Sequence, residues 1–146
     1  NFKLIDQGND YMNKAAFGDS ISTYHLEAAI AFEHCMAESF DKTNWKRILE
    51  LYEWLCTISP SPITEMNKAV AIMQVYGASE ALTSLQNIPN KKKLETFYLY
   101  YSLFGEVYSR LHDLEQARKS FEMAIQLTGS QTEKKILNGK LVSLFN

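Results

Sequence analysis

Apolar residues recur three or four positions apart through most of this chain, and no segment shows the period-two alternation of a strand. The pattern predicts helices throughout. A first runs from about Phe2 to Phe17 and breaks at Gly18-Asp19-Ser20. A second spans about Thr23 to Ser39, with Leu26, Ala29, Ile30 and Glu33 on successive turns. Asp41 or Thr43 offers a cap to a third, which carries Trp45, Ile48, Leu51, Tyr52 and Leu55 at helical spacing. The sharpest break is Ser59-Pro60-Ser61-Pro62. Pro60 ends one helix because it has no N–H to donate, whereas Ser61 can cap the next and Pro62 can take its first position. That fourth helix runs to about Tyr76 and stops at Gly77. A short fifth covers about Ser79 to Asn87, and a sixth extends from Lys91-Lys92-Lys93 to Leu111. Asp113 with Gln116, and Ser130 with Glu133, have capping-box spacing. They open a seventh helix and a last one over about Gln131 to Phe145.

Two of these helices carry an ordered pattern: Tyr101-x2-Phe104-Gly105-x2-Tyr108, then Ala117-x3-Phe121-x2-Ala124. Small Gly105 and Ala117 allow two helices to approach closely, and the bulky Tyr101, Phe104, Tyr108 and Phe121 fill the space around that contact. Fainter copies lie upstream. With Pro60 as the closing position, Ile48, Tyr52 and Leu55 match Ala117, Phe121 and Ala124, and Phe32, Cys35, Met36 and Ser39 fall in the preceding helix. A middle copy takes Ala69 and Ile72, then Ala81, Leu85 and Ile88. The pattern resembles the tetratricopeptide repeat, whose period is about 34 residues, with Tyr101 where that motif usually has Trp and Gly129 near its closing Pro. The resemblance implies an all-α fold of about eight helices in antiparallel pairs, wound as a right-handed superhelix. It implies one domain over 1–146, with repeats at about 29–62, 63–96 and 98–131 and flanking helices at 2–17 and 131–145. First helices line the concave groove of such an array, which would place Glu33, Met66, Val70, Met73, Ser102, Glu106, Ser109 and Arg110 there.

Composition narrows the chemistry. The 146 residues suit a single domain able to bury roughly two-thirds of its unfolded surface. The formal net charge of −2 argues against a face built to grip a phosphate backbone. Lys91-Lys92-Lys93, the only basic run, reads as a solvated loop and first helical turn rather than a contact to nucleic acid or an acidic protein. No apolar run approaches the ~18 residues of a membrane span. Cys35 and Cys56 fall among apolar residues with no C-x-x-C spacing, so both are expected as buried, reduced thiols in a cytoplasmic protein. The chain starts at Asn1 without an initiator Met and reads as part of a longer protein.

No catalytic constellation is present: there is no G-x-S-x-G, no Gly-rich phosphate loop and no H-E-x-x-H. Glu33-His34-Cys35 cannot share a ligand, because adjacent residues on a helix point about 100° apart. His34 is expected as a hydrogen-bonded interior or groove residue. Asn67 and Lys68 interrupt an apolar helix, and Glu106 sits between Gly105 and Val107. Asn67 and Glu106 either line the groove or satisfy neighbouring polar groups, and Lys68 is expected in the groove with them. The expectation is a protein-binding module without a cofactor or metal, not an enzyme.

A narrower resemblance covers nearly the whole chain. Tyr24-His25-Leu26-Glu27-Ala28-Ala29-Ile30-Ala31-Phe32-Glu33-His34 resembles the Y-Q-L-Q-A-A-I-A-x-x-H stretch in the C-terminal extension of one group of extracytoplasmic-function sigma factors. In the same order follow Trp45-x2-Ile48-x2-Leu51-Tyr52, similar to W-x-x-I-x-x-L-Y, and Ser59-Pro60-Ser61-Pro62 with Glu65-Met66-Asn67-Lys68-Ala69-Val70-Ala71, similar to T-P-S-P…E-L-N-R-A-V-A. Leu4-Ile5-x2-Gly8 is similar to the L-I-x-x-G that leads into that extension. His25, Glu27 and Lys68 depart from the pattern, which puts in doubt any role of the two amides or of a bidentate guanidinium. The resemblance implies a regulatory extension of a bacterial RNA polymerase sigma factor, with promoter-reading and polymerase-binding domains upstream of Asn1. Its partners would be the sigma factor's own N-terminal domains, the polymerase core or a signalling protein. The alternative is a stand-alone scaffold unrelated to transcription.

Overall fold

A computed structural model describes residues 22–146, and the helix expected over 2–17 lies outside them. Among the described residues the chain is all-helical, with seven α-helices and two short 3-10 turns. The helices are α1 (Thr23–Met36), α2 (Trp45–Ile58), α3 (Pro62–Tyr76), α4 (Ala78–Gln86), α5 (Tyr98–Arg110), α6 (Leu114–Leu127) and α7 (Gln131–Leu144). Each packs chiefly on the next, and α3 also touches α5. The links between α2 and α3, α5 and α6, and α6 and α7 are three residues long, so these packed neighbours must run antiparallel.

Local chemistry sets the breaks. Ser61 accepts the Thr64 N–H at 3.1 Å and Pro62 follows at the first helical position, as the sequence predicts. Asp113 and Ser130 accept from the N–H groups of Gln116 and Glu133. Gly77 alone joins α3 to α4; its φ of 104° is open only to glycine at low cost. Ser22 and His25 form a reciprocal cap at the start of α1 that the serine-to-glutamate rule does not find.

Three boundaries differ from expectation. The helix expected to reach Ser39 ends at Met36, where Ala37 turns extended, and a 3-10 turn at Phe40–Lys42 follows. Asn44, not Asp41 or Thr43, caps α2 by accepting the Arg47 N–H at 3.1 Å. The lysine run forms a separate 3-10 turn, Lys91–Leu94, entered through Asn90 at φ 57°. Extended Phe97 then restarts the chain as α5.

Three apolar clusters succeed one another along the chain. Leu26, Ala29 and Ile30 of α1 meet Ile48, Leu51 and Leu55 of α2; Met66, Ala69 and Met73 of α3 meet Leu85 of α4 and Val107 of α5; Ala117, Phe121 and Ala124 of α6 meet Leu137 of α7. Ile72 packs against the first and middle clusters, and Tyr101 against the middle and last. Of the second-helix positions of the sequence frame, Ile48, Leu55, Ala81, Leu85, Ile88, Ala117, Phe121 and Ala124 are buried, and Tyr52 is half-buried. The first-helix positions of the first copy are not: Cys35, Met36 and Ser39 are exposed. The buried small residue there is Ala29, seven positions before Met36. Seven residues are close to two helical turns, so the apolar face persists while the 37–44 link absorbs the shift.

Candidate functional site

A surface hollow is shared by α3 and α5. Met66, Asn67 and Val70 of α3 meet Leu99, Ser102, Leu103 and Glu106 of α5 around a depression of about 220 Å³. Met66 is buried and forms its floor, while Leu99 is exposed at its rim. Glu106 also lines an adjoining depression of about 450 Å³, together with Ser109 and with Ile136, Gly139, Lys140 and Ser143 of α7. Asn67 is shared with a third, of about 250 Å³, beside Glu27, Ile30, Tyr52 and Ile63. Asn67 and Glu106 are thus the residues common to neighbouring hollows, and the surface is continuous from α1 to α7.

Glu106 forms an ion pair with Lys140, tying α5 to α7. The same ammonium lies 5.9 Å from the centroid of the Phe121 ring, whose electron-rich face attracts a cation. Both charged side chains are more than a third exposed, so the pair is solvent-screened and positions the helices more than it stabilises them.

Five expected residues, Met66, Asn67, Val70, Ser102 and Glu106, therefore come together, and Ser109 joins them through Glu106. Five do not. Met73 is buried in the middle cluster because it follows Ala69 by one helical turn on the core side. Glu33 and His34 lie on α1; His34 is exposed rather than interior and meets Trp45 edge-on at 5.5 Å. Lys68 is in an ion pair with Glu65 at 3.0 Å, in a separate depression with Glu53, Tyr76 and Glu80. Arg110 is exposed in the last turn of α5. Sequence reasoning missed Leu99, Lys140 and Ser143. A repeat-length step would have found two of them: Lys140 lies 34 residues after Glu106, and Ser143 equally far after Ser109.

The thiols differ from the sequence expectation. Cys35 is exposed, because the buried face of α1 is the one holding Leu26, Ala29 and Ile30. Cys56 is half-buried, and burial, followed by the charge of Glu65, pushes its pKa up to about 11 from 9.0. At pH 8 this leaves about a hundredfold less thiolate than in a free thiol, at tenfold per pKa unit. In a Cys35→Ser background, alkylation of Cys56 by iodoacetamide is expected to run about a hundredfold slower than that of a cysteine peptide. Equal rates would show that Glu65 and burial do not act on it.

Burial also raises the pKa of Tyr52, with the charges of Cys56 and Glu27 adding to it. No group of His, Cys, Asp and Glu suited to a metal ion occurs among the described residues. Lys91, Lys92 and Lys93 are exposed, and Lys91 Nζ donates to the Gln86 carbonyl at 3.1 Å.

Compared with known proteins, the chain matches no family model and no solved structure. Over 130 residues it is 32% identical to an uncharacterized protein of Rhizobium meliloti (strain 1021), a match that covers 89% of this chain and 30% of that protein. The chain therefore spans less than a third of the relative's length.

Proposed function

We propose that this chain is the regulatory, tetratricopeptide-like extension of an extracytoplasmic-function sigma factor, acting through the hollow surface of α1, α3, α5 and α7. The observation that carries the reading is the ordered run of motifs from Leu4 to Ala71. Its residues divide into two physical roles. Leu26, Ala29, Ile30, Ile48, Leu51, Ala69 and Ala71 are buried and hold helices together. Asn67 stands in the hollow surface, where packing alone does not require an amide. Length agrees with the reading, since the Rhizobium relative is far longer than the aligned segment.

Regulation then requires a partner that binds one arrangement of the sigma factor better than another, because only differential affinity shifts an equilibrium. The partner is the sigma factor's own N-terminal domains, the polymerase core or a signalling protein. Removing this segment from the intact protein is expected to change promoter-dependent transcription by at least about tenfold, which corresponds to about 1.4 kcal/mol of coupling. Unchanged transcription would sink the proposal. An intact protein without a basic helix-turn-helix segment would favour the stand-alone scaffold.

A further inference from the structure

The hollow surface is not electrically neutral along its length. Where α1, α2 and α3 meet, the depression of about 250 Å³ is lined by apolar Ile30, Leu55 and Ile63 and by three hydrogen-bond acceptors, Glu27, Tyr52 and Asn67. The adjoining hollow between α3 and α5 adds Glu106, and no lysine or arginine lines either. Glu106 already has Lys140. Glu27 has no ion-pair partner among the described residues, and the side chains of Tyr52 and Asn67 make no hydrogen bond there. The field of Glu27 reaches into the hollow. After burial and the charge of Cys56, it is the third cause that raises the Tyr52 pKa.

We propose that this hollow is a socket for a basic side chain of the protein partner, whose neighbouring aliphatic residue fills the hollow between α3 and α5. A long side chain with an apolar stem and a cationic head matches such walls, because the stem can lie on Ile30, Leu55 and Ile63 while the head meets Glu27. Arginine suits it better than lysine, since its five donors can reach three acceptors together. Asn67 lines both hollows, so residues i and i+2 of an extended segment, about 7 Å apart, reach both. The charge also departs from the sigma-factor pattern, which has glutamine where this chain has Glu27. The inference rests on the hollow surface being the partner's seat, but not on a role in transcription.

A positional-scanning library of hexapeptides, probed with this chain, reads the preference. Peptides with arginine or lysine two positions from leucine, isoleucine or methionine should bind best. For the best of them, followed by fluorescence anisotropy, Glu27→Gln and Glu27→Lys should weaken binding progressively, the reversal by at least about tenfold. Glu122→Lys makes the same change of charge on the exposed face of α6, which lines neither hollow, and should leave binding within about twofold. Leu99→Asp should remove the aliphatic preference and keep the basic one, with circular dichroism showing the helices intact in every variant. No peptide binding, a preference for acidic peptides, or a basic preference that survives Glu27→Lys would overturn the proposal. The expected preference, found beside transcription that does not change when the segment is removed, would retire only the regulatory reading.

Discussion

Phe121→Ala is expected to destabilise the protein by about 3–5 kcal/mol, the range for truncating a large buried aromatic side chain. Phe121 is 2% exposed and sits where a Cβ on Gly105 would lie 2.5 Å from its Cε1 and 2.6 Å from its Cδ1. Glycine is the residue that lets α5 approach α6 this closely. Gly105→Ala alone gains up to about 1 kcal/mol of helix propensity but forces the ring to move within a packed core, an overpacking cost of about 1–3 kcal/mol. The net effect is destabilising. In the Phe121→Ala background the clash disappears, and Gly105→Ala should become stabilising. Gly139, where an added Cβ would meet nothing within 4 Å, supplies the control: Gly139→Ala should stabilise by about 0.5–1 kcal/mol. Urea unfolding of the four proteins in the Gly105–Phe121 cycle reads the coupling. Additive effects would mean that the close approach does not set the stability of this helix pair.

Leu85→Ala should cost about 2–5 kcal/mol and divide the unfolding transition. Leu85 is fully buried in the middle cluster, between α3 and α5. The outer clusters communicate through the bridging residues Ile72 and Tyr101, both packed on that middle cluster. Stability in such a chain of neighbours is a sum of local and interface contributions, so a defect in the middle uncouples the ends. Both tryptophans, Trp45 and Trp54, lie on α2 and report only on the first end. Tryptophan fluorescence and far-ultraviolet circular dichroism should coincide during unfolding of the unaltered protein and separate in Leu85→Ala. Coincident curves in the variant would indicate one indivisible core.

Helix existence was legible because its signals are local. Ser61-Pro62, Gly77 and the Asp113 cap each act within a few residues, and the 3.6-residue period of Ala117, Phe121 and Ala124 marks a single buried face. The register of α1 was not legible, because Ala29 and Met36 lie two turns apart on an apolar helix and either fits the pattern. What decides between them is the 37–44 link, whose 3-10 turn carries no strong signal in sequence. The lysine run misled for a related reason. Helix propensity favours continuing from Lys91, but burial of Leu94 and the extended Phe97 end that turn first.

The hollow surface was partly legible. Repeat position found Met66, Val70, Ser102 and Glu106, and the polar interruption of an apolar helix found Asn67; Met73, which repeat position also put there, lies two turns beyond Met66 and is buried in the middle cluster. Lys140 lay outside the frame because the repeat count stopped at α6. The Glu106–Lys140 pair joins positions one repeat length apart, so α7 extends the same surface.

Regulation through that surface is tested most directly by placing Leu99→Asp with Ser102→Arg on it in the intact protein. Glu53→Ala with Glu80→Ala, in the separate depression around Lys68, serves as the control. Promoter-dependent transcription is measured for both, with folding verified by circular dichroism. The first pair is expected to change transcription at least about tenfold, as deletion of the segment does, and the control pair to leave it unaltered. A folded Leu99→Asp/Ser102→Arg protein that transcribes like the unaltered one would contradict a regulatory role for this surface.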